Sequence, residues 1–144
     1  KNILIMDYIR LLPSISLKIL NILNELSFIK VGLIITTDKV YQNRDNSKSF
    51  IESDALGGDD VYSASKACSE ILTNALFRSF PEEKSLSTAR AGNVIGGGDW
   101  SDHRLVPDIM RSIQTKTQLS LRNPESTRPW QHVLDCLNGY LMVS

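Results

Sequence analysis

A largely apolar, β-branched run at residues 31–36, a helix-periodic segment around Tyr62 and a second strand-like run at residues 85–91 follow one another along the chain. Strand, helix and strand in that order restrict the fold more than any other feature. Two strands separated by a helix pair in parallel through a right-handed crossover, with helices packed on the faces of the sheet. The flanking elements extend the alternation. Ile19, Leu20, Ile22, Leu23 and Leu26 give helical spacing over residues 16–26, and Gln42 to Asp60 reads as a polar loop. Ser79-Phe80-Pro81 stops the central helix. A glycine-rich loop follows the second strand, then a helix over 105–113, a short strand over 118–121 and a helix over 132–142. The pattern predicts an α/β fold, part of a Rossmann-type doubly wound parallel sheet, with the start of a smaller substrate-binding part.

Composition narrows the class. The 144 residues suffice for one domain, and 42% hydrophobic with 22% charged residues is ordinary for a soluble globular chain. Sixteen basic and sixteen acidic residues balance, so no electrostatic case exists for nucleic acid or an anionic membrane surface as the main partner. Cys68 and Cys136 lie far apart among apolar neighbours, which suits buried free thiols in a reducing compartment better than a disulfide or a metal site. No metal is expected, and the cytoplasm is the expected location. The opening KNILIMDYIRLL is interrupted by Asp7 and Arg10, lacks a small-residue cleavage site and falls short of a membrane span. The chain starts without Met, which leads us to expect a fragment.

Tyr62 and Lys66, in VYSASKACSE, stand one helical turn apart. At about 100° per residue, positions four apart lie within about 40° of each other, so both side chains reach one target. The ammonium stabilises phenolate and brings a weak acid toward the range useful near neutral pH. Ala64, Ala67, Cys68, Ile71, Leu72 and Ala75 form the expected core stripe on the opposite side, leaving the pair facing water or a ligand. Taken alone, the Tyr-x-x-x-Lys spacing also describes a merely exposed pair.

In parallel sheets ligands bind beyond the carboxyl ends of the strands. That rule places Thr36, Thr37, Asp38 and Lys39, after the first strand, on the same side as Gly92 and Asn93, after the second. A polar strand end with Asp38 capping a turn is the alternative reading of the TTDK tetrad. Gly96, Gly97 and Gly98 do not complete G-x-G-x-x-G, because Ser101 occupies its last position, and they read as a substrate-side turn. His132 reads as structural, and Trp100 and Trp130 as pocket wall.

TTDKVY, YSASKACSE, ARAGNVIGGGDW and RPWQHVLDCLNGYL, in this order, resemble the extended short-chain dehydrogenase/reductase family, and within it the CDP-glucose 4,6-dehydratases. The match runs from about Asn21 to the end. Lys39, where dTDP-glucose dehydratases typically carry Glu, and Asp38, which 4-epimerases usually lack, set the branch.

The resemblance implies NAD-dependent conversion of CDP-glucose to CDP-4-keto-6-deoxyglucose by internal hydride transfer, in deoxysugar or surface polysaccharide biosynthesis. Tyr62 would take the proton of the sugar 4-hydroxyl, Lys66 would hold the phenolate and the nicotinamide ribose, and Thr37 would bond the reacting oxygen. Asp38, kept protonated by burial, would protonate the leaving 6-hydroxyl, with Lys39 near carbon 5. Thr36, Tyr62 and Lys66 would contact the cofactor. Asn93 and Arg128 would bind the nucleotide sugar, the arginine gripping its diphosphate. A surface charge beside Trp130 is the other reading of Arg128.

Residues 1–95 are then expected to be the C-terminal portion of an NAD-binding Rossmann domain, and 96–144 part of the nucleotide-sugar-binding region. Family members open on a strand and a G-x-x-G-x-x-G turn that holds pyrophosphate, and this sequence has no such turn. The chain alone is therefore expected to bind NAD weakly and to be inactive, the longer parent being a homodimeric lyase that uses the Tyr62 helix at its interface. Another nucleotide-sugar short-chain enzyme, a 4-epimerase or reductase, and a non-catalytic binding module are the alternatives.

Overall fold

A computed structural model describes residues 3–42, 49–79 and 83–144. The described chain runs α1 (Ile3–Glu25), β1 (Val31–Ile35), a 3-10 turn (Asp38–Val40), α2 (Val61–Phe77), β2 (Ser85–Ala89), β3 (Asn93–Ile95), α3 (Leu105–Thr115), β4 (Trp130–His132) and α4 (Val133–Val143). Two compact units emerge. One comprises Lys1–Ala91 with Asn138–Ser144, the other Gly92–Leu137, whereas the sequence reading divides the chain at 95/96.

In the first unit β1 and β2 pair in parallel, Val31 opposite Ser85 through Ile35 opposite Ala89. The pairing continues past β1, since Thr36 N–H donates to Ala89 (2.8 Å) and Asp38 N–H to Ala91 (2.9 Å). Helix α2 makes the crossover between them, as the strand–helix–strand order requires. Helix α1 packs on α2, and its Leu20 is fully buried. Its Leu23 lies so close to β1 that a Cβ on Gly32 would come within 2.9 Å of the Leu23 side chain. Lys84 holds the end of α1, its ammonium donating to the carbonyls of Leu23, Asn24 (2.8 Å) and Leu26 (3.0 Å). Three donors on one nitrogen suit the carbonyls that cluster at the end of a helix.

The approach to α2 is set by Gly58, at φ +118°, where a Cβ would stand 2.5 Å from Ala64 N. Only glycine fits there. Asp60 then caps the helix: its carboxylate accepts from Ser63 N–H (3.0 Å) and Ser63 Oγ (2.7 Å). These two bonds hold the Asp60 carboxyl below its ordinary value.

The buried side of α2 differs from the expected stripe. Ser63, Ser65, Ala67, Ser69, Glu70 and Thr73 are buried, whereas Cys68, Ile71 and Ala75 are exposed, Ile71 at 56%. The expectation of two buried thiols is corrected with it, because Cys68 is exposed and Cys136 alone is buried. Local hydrogen bonding is the physical reason. Ser65 Oγ donates to Tyr62 O (2.7 Å), Ser69 Oγ to Ser65 O (3.2 Å) and Thr73 Oγ1 to Ser69 O (2.8 Å). A small hydroxyl satisfied by its own helix can be buried cheaply and lets neighbouring backbone approach. At the α1–α2 contact Ser16 Oγ and Ser69 Oγ are 3.0 Å apart.

The second unit is built on β3 and β4, parallel, with Asn93 opposite Trp130 and Ile95 opposite His132. The strand expected over 118–121 is absent, and the pairing strand lies at Trp130–His132. The region expected as a glycine-rich loop contributes β3. The described strands thus form two parallel pairs, while the expected α/β class stands. The expected helix stop at Ser79-Phe80-Pro81 lies partly outside the described residues, as does the 43–48 part of the 42–60 loop.

Candidate active site

The carboxyl end of β1 and the first two turns of α2 carry most of the expected site in the first unit. Thr36 and Thr37 are buried, at 5% and 7% exposure. Thr37, in extended conformation, caps the 3-10 turn: its Oγ1 accepts from Lys39 N–H (3.4 Å) and donates to Asp38 Oδ1 (3.1 Å). Asp38 is half-buried, so the burial expected around its carboxyl is only partial. Lys39 is exposed. Its charge reaches Asp60 at the head of α2 and helps hold that carboxyl down.

Tyr62 and Lys66 follow in the first turns of α2. By the helical wheel, the buried side of α2 is centred within about 30° of the side carrying this pair. The expectation that the pair looks away from the helix's packed side is therefore corrected. Tyr62 is 39% exposed, and its hydroxyl has no partner among the described residues. Lys66 is half-buried and donates from Nζ to the Ile35 carbonyl, 3.1 Å away at the end of β1. An ammonium carries three donors, so two remain for a phenolate or a sugar hydroxyl. The helix thus lays its amine against the strand whose next residues are Thr36 and Thr37.

A buried carboxylate that the sequence reading missed joins these pieces. Glu70 is wholly buried. Arg90 grips it at both oxygens, Nε to Oε1 (3.0 Å) and Nη2 to Oε2 (3.1 Å), and Thr88 Oγ1 donates to Oε2 (2.8 Å). The Thr36 hydroxyl also points at Glu70 Oε1, with the Ala89 carbonyl 3.2 Å from it. Burial pushes the Glu70 carboxyl up, but the bonds from Arg90, Thr36 and Thr88 outweigh it and leave the carboxyl below its ordinary 4.5. Arg90 is raised in turn, first by the Glu70 bond and against burial. Arg90 also reaches the Glu52 carbonyl (3.2 Å) and lies 4.8 Å over the Tyr41 ring, itself stacked on Phe50 at 4.6 Å. One signal in the sequence points to Glu70: it repeats the four-residue step from Tyr62 to Lys66, on the same side of the helix. The side chain of Thr36, expected at the cofactor, is committed to this network.

Asn93 and Arg128 belong to the second unit. Asn93 is half-buried and opens β3, its N–H donating to Pro129 O (3.0 Å). Gly92 before it admits Pro129 closely, since a Cβ would meet the proline ring at 2.7 Å. Arg128 is exposed and stands two residues before Trp130, the strand partner of Asn93, so both lie at one end of that pair. His132 Nδ1 accepts Leu134 N–H (3.2 Å) at the start of α4, and Trp100 and Trp130 are 54% and 41% exposed. Among the described residues no cluster of His, Cys, Asp and Glu is placed to hold a metal, and no helix is long and apolar enough to cross a membrane.

A parallel βαβ unit with threonines at the first strand's end and Tyr-x-x-x-Lys on the crossover helix is a Rossmann-type α/β arrangement. The chain belongs to the NAD dependent epimerase/dehydratase family, which it matches over residues 7–144. It is 44% identical over 133 residues to the CDP-glucose 4,6-dehydratase of Salmonella typhimurium, across 88% of this chain and 37% of that protein. This chain thus spans well under half the length of that relative. Among solved structures it resembles an NAD-dependent NDP-hexosamine 5,6-dehydratase involved in tunicamycin biosynthesis (TM-score 0.80, 23% identity, 95% of this chain and 44% of that one). It also resembles the Bacillus anthracis dTDP-glucose 4,6-dehydratase solved with NAD (TM-score 0.78, 22% identity, 89% and 40%). A Bacillus cereus UDP-glucuronic acid 4-epimerase, solved with UDP-glucuronic acid and NAD, shares the fold at TM-score 0.78 and 15% identity, over 90% and 40%. At such identities the likeness to solved structures is one of fold.

Proposed function

We propose that this chain carries the catalytic half of an NAD-dependent nucleotide-sugar 4,6-dehydratase, acting on CDP-glucose in the cytoplasm for deoxysugar or surface polysaccharide synthesis. The observation that carries the reading is the Tyr62–Lys66 pair laid against the end of β1 by the Lys66–Ile35 bond, beside Thr37 and Asp38. The 44% identity to a CDP-glucose 4,6-dehydratase supports the substrate. Residues 1–95 would belong to the cofactor domain and 96–144 to the nucleotide-sugar region, with the complete protein a homodimer.

The residues present fit the nicotinamide-ribose side of the cofactor: among the described residues the Tyr62 phenol has no partner and Lys66 uses one of its three donors. When bound, NAD supplies a hydride acceptor at carbon 4 and a donor at carbon 6. Tyr62 would take the 4-hydroxyl proton, with Lys66 stabilising its phenolate and Thr37 turning its single hydroxyl proton from Asp38 Oδ1 to the same oxygen. The 4-keto group acidifies carbon 5. Asp38 would then hand a proton to the departing 6-hydroxyl, with Lys39 near carbon 5, able to take its proton only as the neutral amine. Asn93 would contact the nucleotide sugar, and Arg128 would grip its diphosphate.

Since the sequence lacks the glycine-rich pyrophosphate turn, this chain should bind NAD weakly, and micromolar affinity by calorimetric titration contradicts that. Completed to the length of its relatives, the protein should convert CDP-glucose to a 4-keto-6-deoxy product detected by its absorbance. Tyr62→Phe should lower the rate by about 10²–10⁴. A product that keeps its 6-hydroxyl points instead to an epimerase or reductase.

A further inference from the structure

We propose that Glu70 is a positioning residue: its carboxylate ties α2 to the ends of β1 and β2 and thereby sets where Lys66, and with it Tyr62, stands against the strand end. This deepens the proposed function and rests on it only for the meaning of the pair. Four hydrogen bonds converge on one wholly buried carboxylate, from Thr36 beyond β1, from Thr88 on β2 and twice from Arg90 after β2. The tie stands one helical turn beyond Lys66, and Lys66 bonds Ile35, the residue before Thr36. Both ties from α2 to β1 therefore end on neighbouring residues. A serine-rich packed face supplies little apolar grip that could hold the helix in register by itself. Beyond the strands, Arg90 carries the tie to the Tyr41 ring and the Glu52 carbonyl, next to the 3-10 turn that holds Asp38 and Lys39.

The Lys66 ammonium is the reporter. In ¹⁵N-lysine NMR of this chain, its protons should exchange slowly because one is held by Ile35. Glu70→Gln should speed that exchange about tenfold, the effect of losing a charge-assisted hydrogen bond from the tie. Thr36→Val removes only the β1 arm and keeps the Arg90 pair, so it should speed Lys66 exchange too. Thr88→Val, which cuts only a β2 arm, should have a smaller effect. Leu20→Ala, a buried change in α1, should destabilise the fold and leave the Lys66 signal in place. Wild-type exchange at Lys66 in both Thr36→Val and Glu70→Gln overturns the proposal, as does an equal response in Leu20→Ala. Should Glu70→Gln not fold, Thr36→Val against Thr88→Val and Leu20→Ala decides alone. No cofactor enters this readout, so failure of the dehydratase reading would show in the product assay and leave it unaffected.

Discussion

Glu70→Ala should be among the most damaging single changes in the first unit. The Glu70 side chain has no exposure and that of Arg90 only 14%. Truncation therefore leaves a buried guanidinium with the Glu52 carbonyl and the Tyr41 face, while the Thr36 and Thr88 hydroxyls lose an acceptor. Removing one partner of a buried ion pair costs about 3–5 kcal/mol. Against the roughly 5–15 kcal/mol that hold a domain together, such a loss shifts a urea midpoint far or abolishes the transition. Arg90→Ala should cost a similar amount, and the double variant less than the sum, with a coupling of about 1–3 kcal/mol. The pH dependence has a defined sign. The folded carboxyl lies below its ordinary 4.5, so the native state holds the proton less tightly than the unfolded chain. Its contribution is fully present above that value and fades as pH falls below it. Urea unfolding followed by circular dichroism at pH 7 and at lower pH, on all four proteins, measures each quantity. A Glu70→Ala loss under about 0.5 kcal/mol, typical of a surface site, or strictly additive variants, would show that the Glu70–Arg90 pair is neither buried nor coupled in solution.

Asp60→Ala removes the cap of α2 and should cost about 1 kcal/mol in the same assay, with the first turn that holds Tyr62 exchanging its amides faster. Gly58→Ala forces a side chain into the positive-φ region and into contact with Ala64 N; a loss of about 1–3 kcal/mol is expected, and an unchanged midpoint contradicts the geometry. A thiol reagent should modify exposed Cys68 in the native chain and reach Cys136 only on unfolding, the reverse of two equally buried thiols. Ile71→Ala should change stability by less than about 0.5 kcal/mol, since its side chain is mostly outside the packed face.

Strand–helix–strand order and the location of Tyr62, Lys66 and Thr37 were legible because they depend on short-range periodicity and on the rule that sites lie at strand ends. The packed side of α2 was not. Hydrophobic periodicity assumes that apolar residues mark the core, whereas here Ser65, Ser69 and Thr73 satisfy their hydroxyls on their own helix, and Glu70 is neutralised by an arginine twenty residues away. That pairing is a tertiary fact with no local signal beyond the four-residue step. The strand expected over 118–121 failed for a related reason. A short stretch pairs only where a partner edge is presented, and β3 finds its partner at Trp130–His132. Partial burial of Asp38 was equally out of reach, since it is set by packing around the 3-10 turn.

Under the proposed function Tyr62 and Lys66 serve a hydride-shuttling dehydration of a nucleotide sugar. CDP-glucose carrying deuterium at carbon 4, incubated with NAD and a protein completed around this chain, tests it most directly. A 4-keto-6-deoxy product with the deuterium at carbon 6, lost in Tyr62→Phe, is the expected outcome. Deuterium retained at carbon 4, or a product in which the 6-hydroxyl survives, contradicts it.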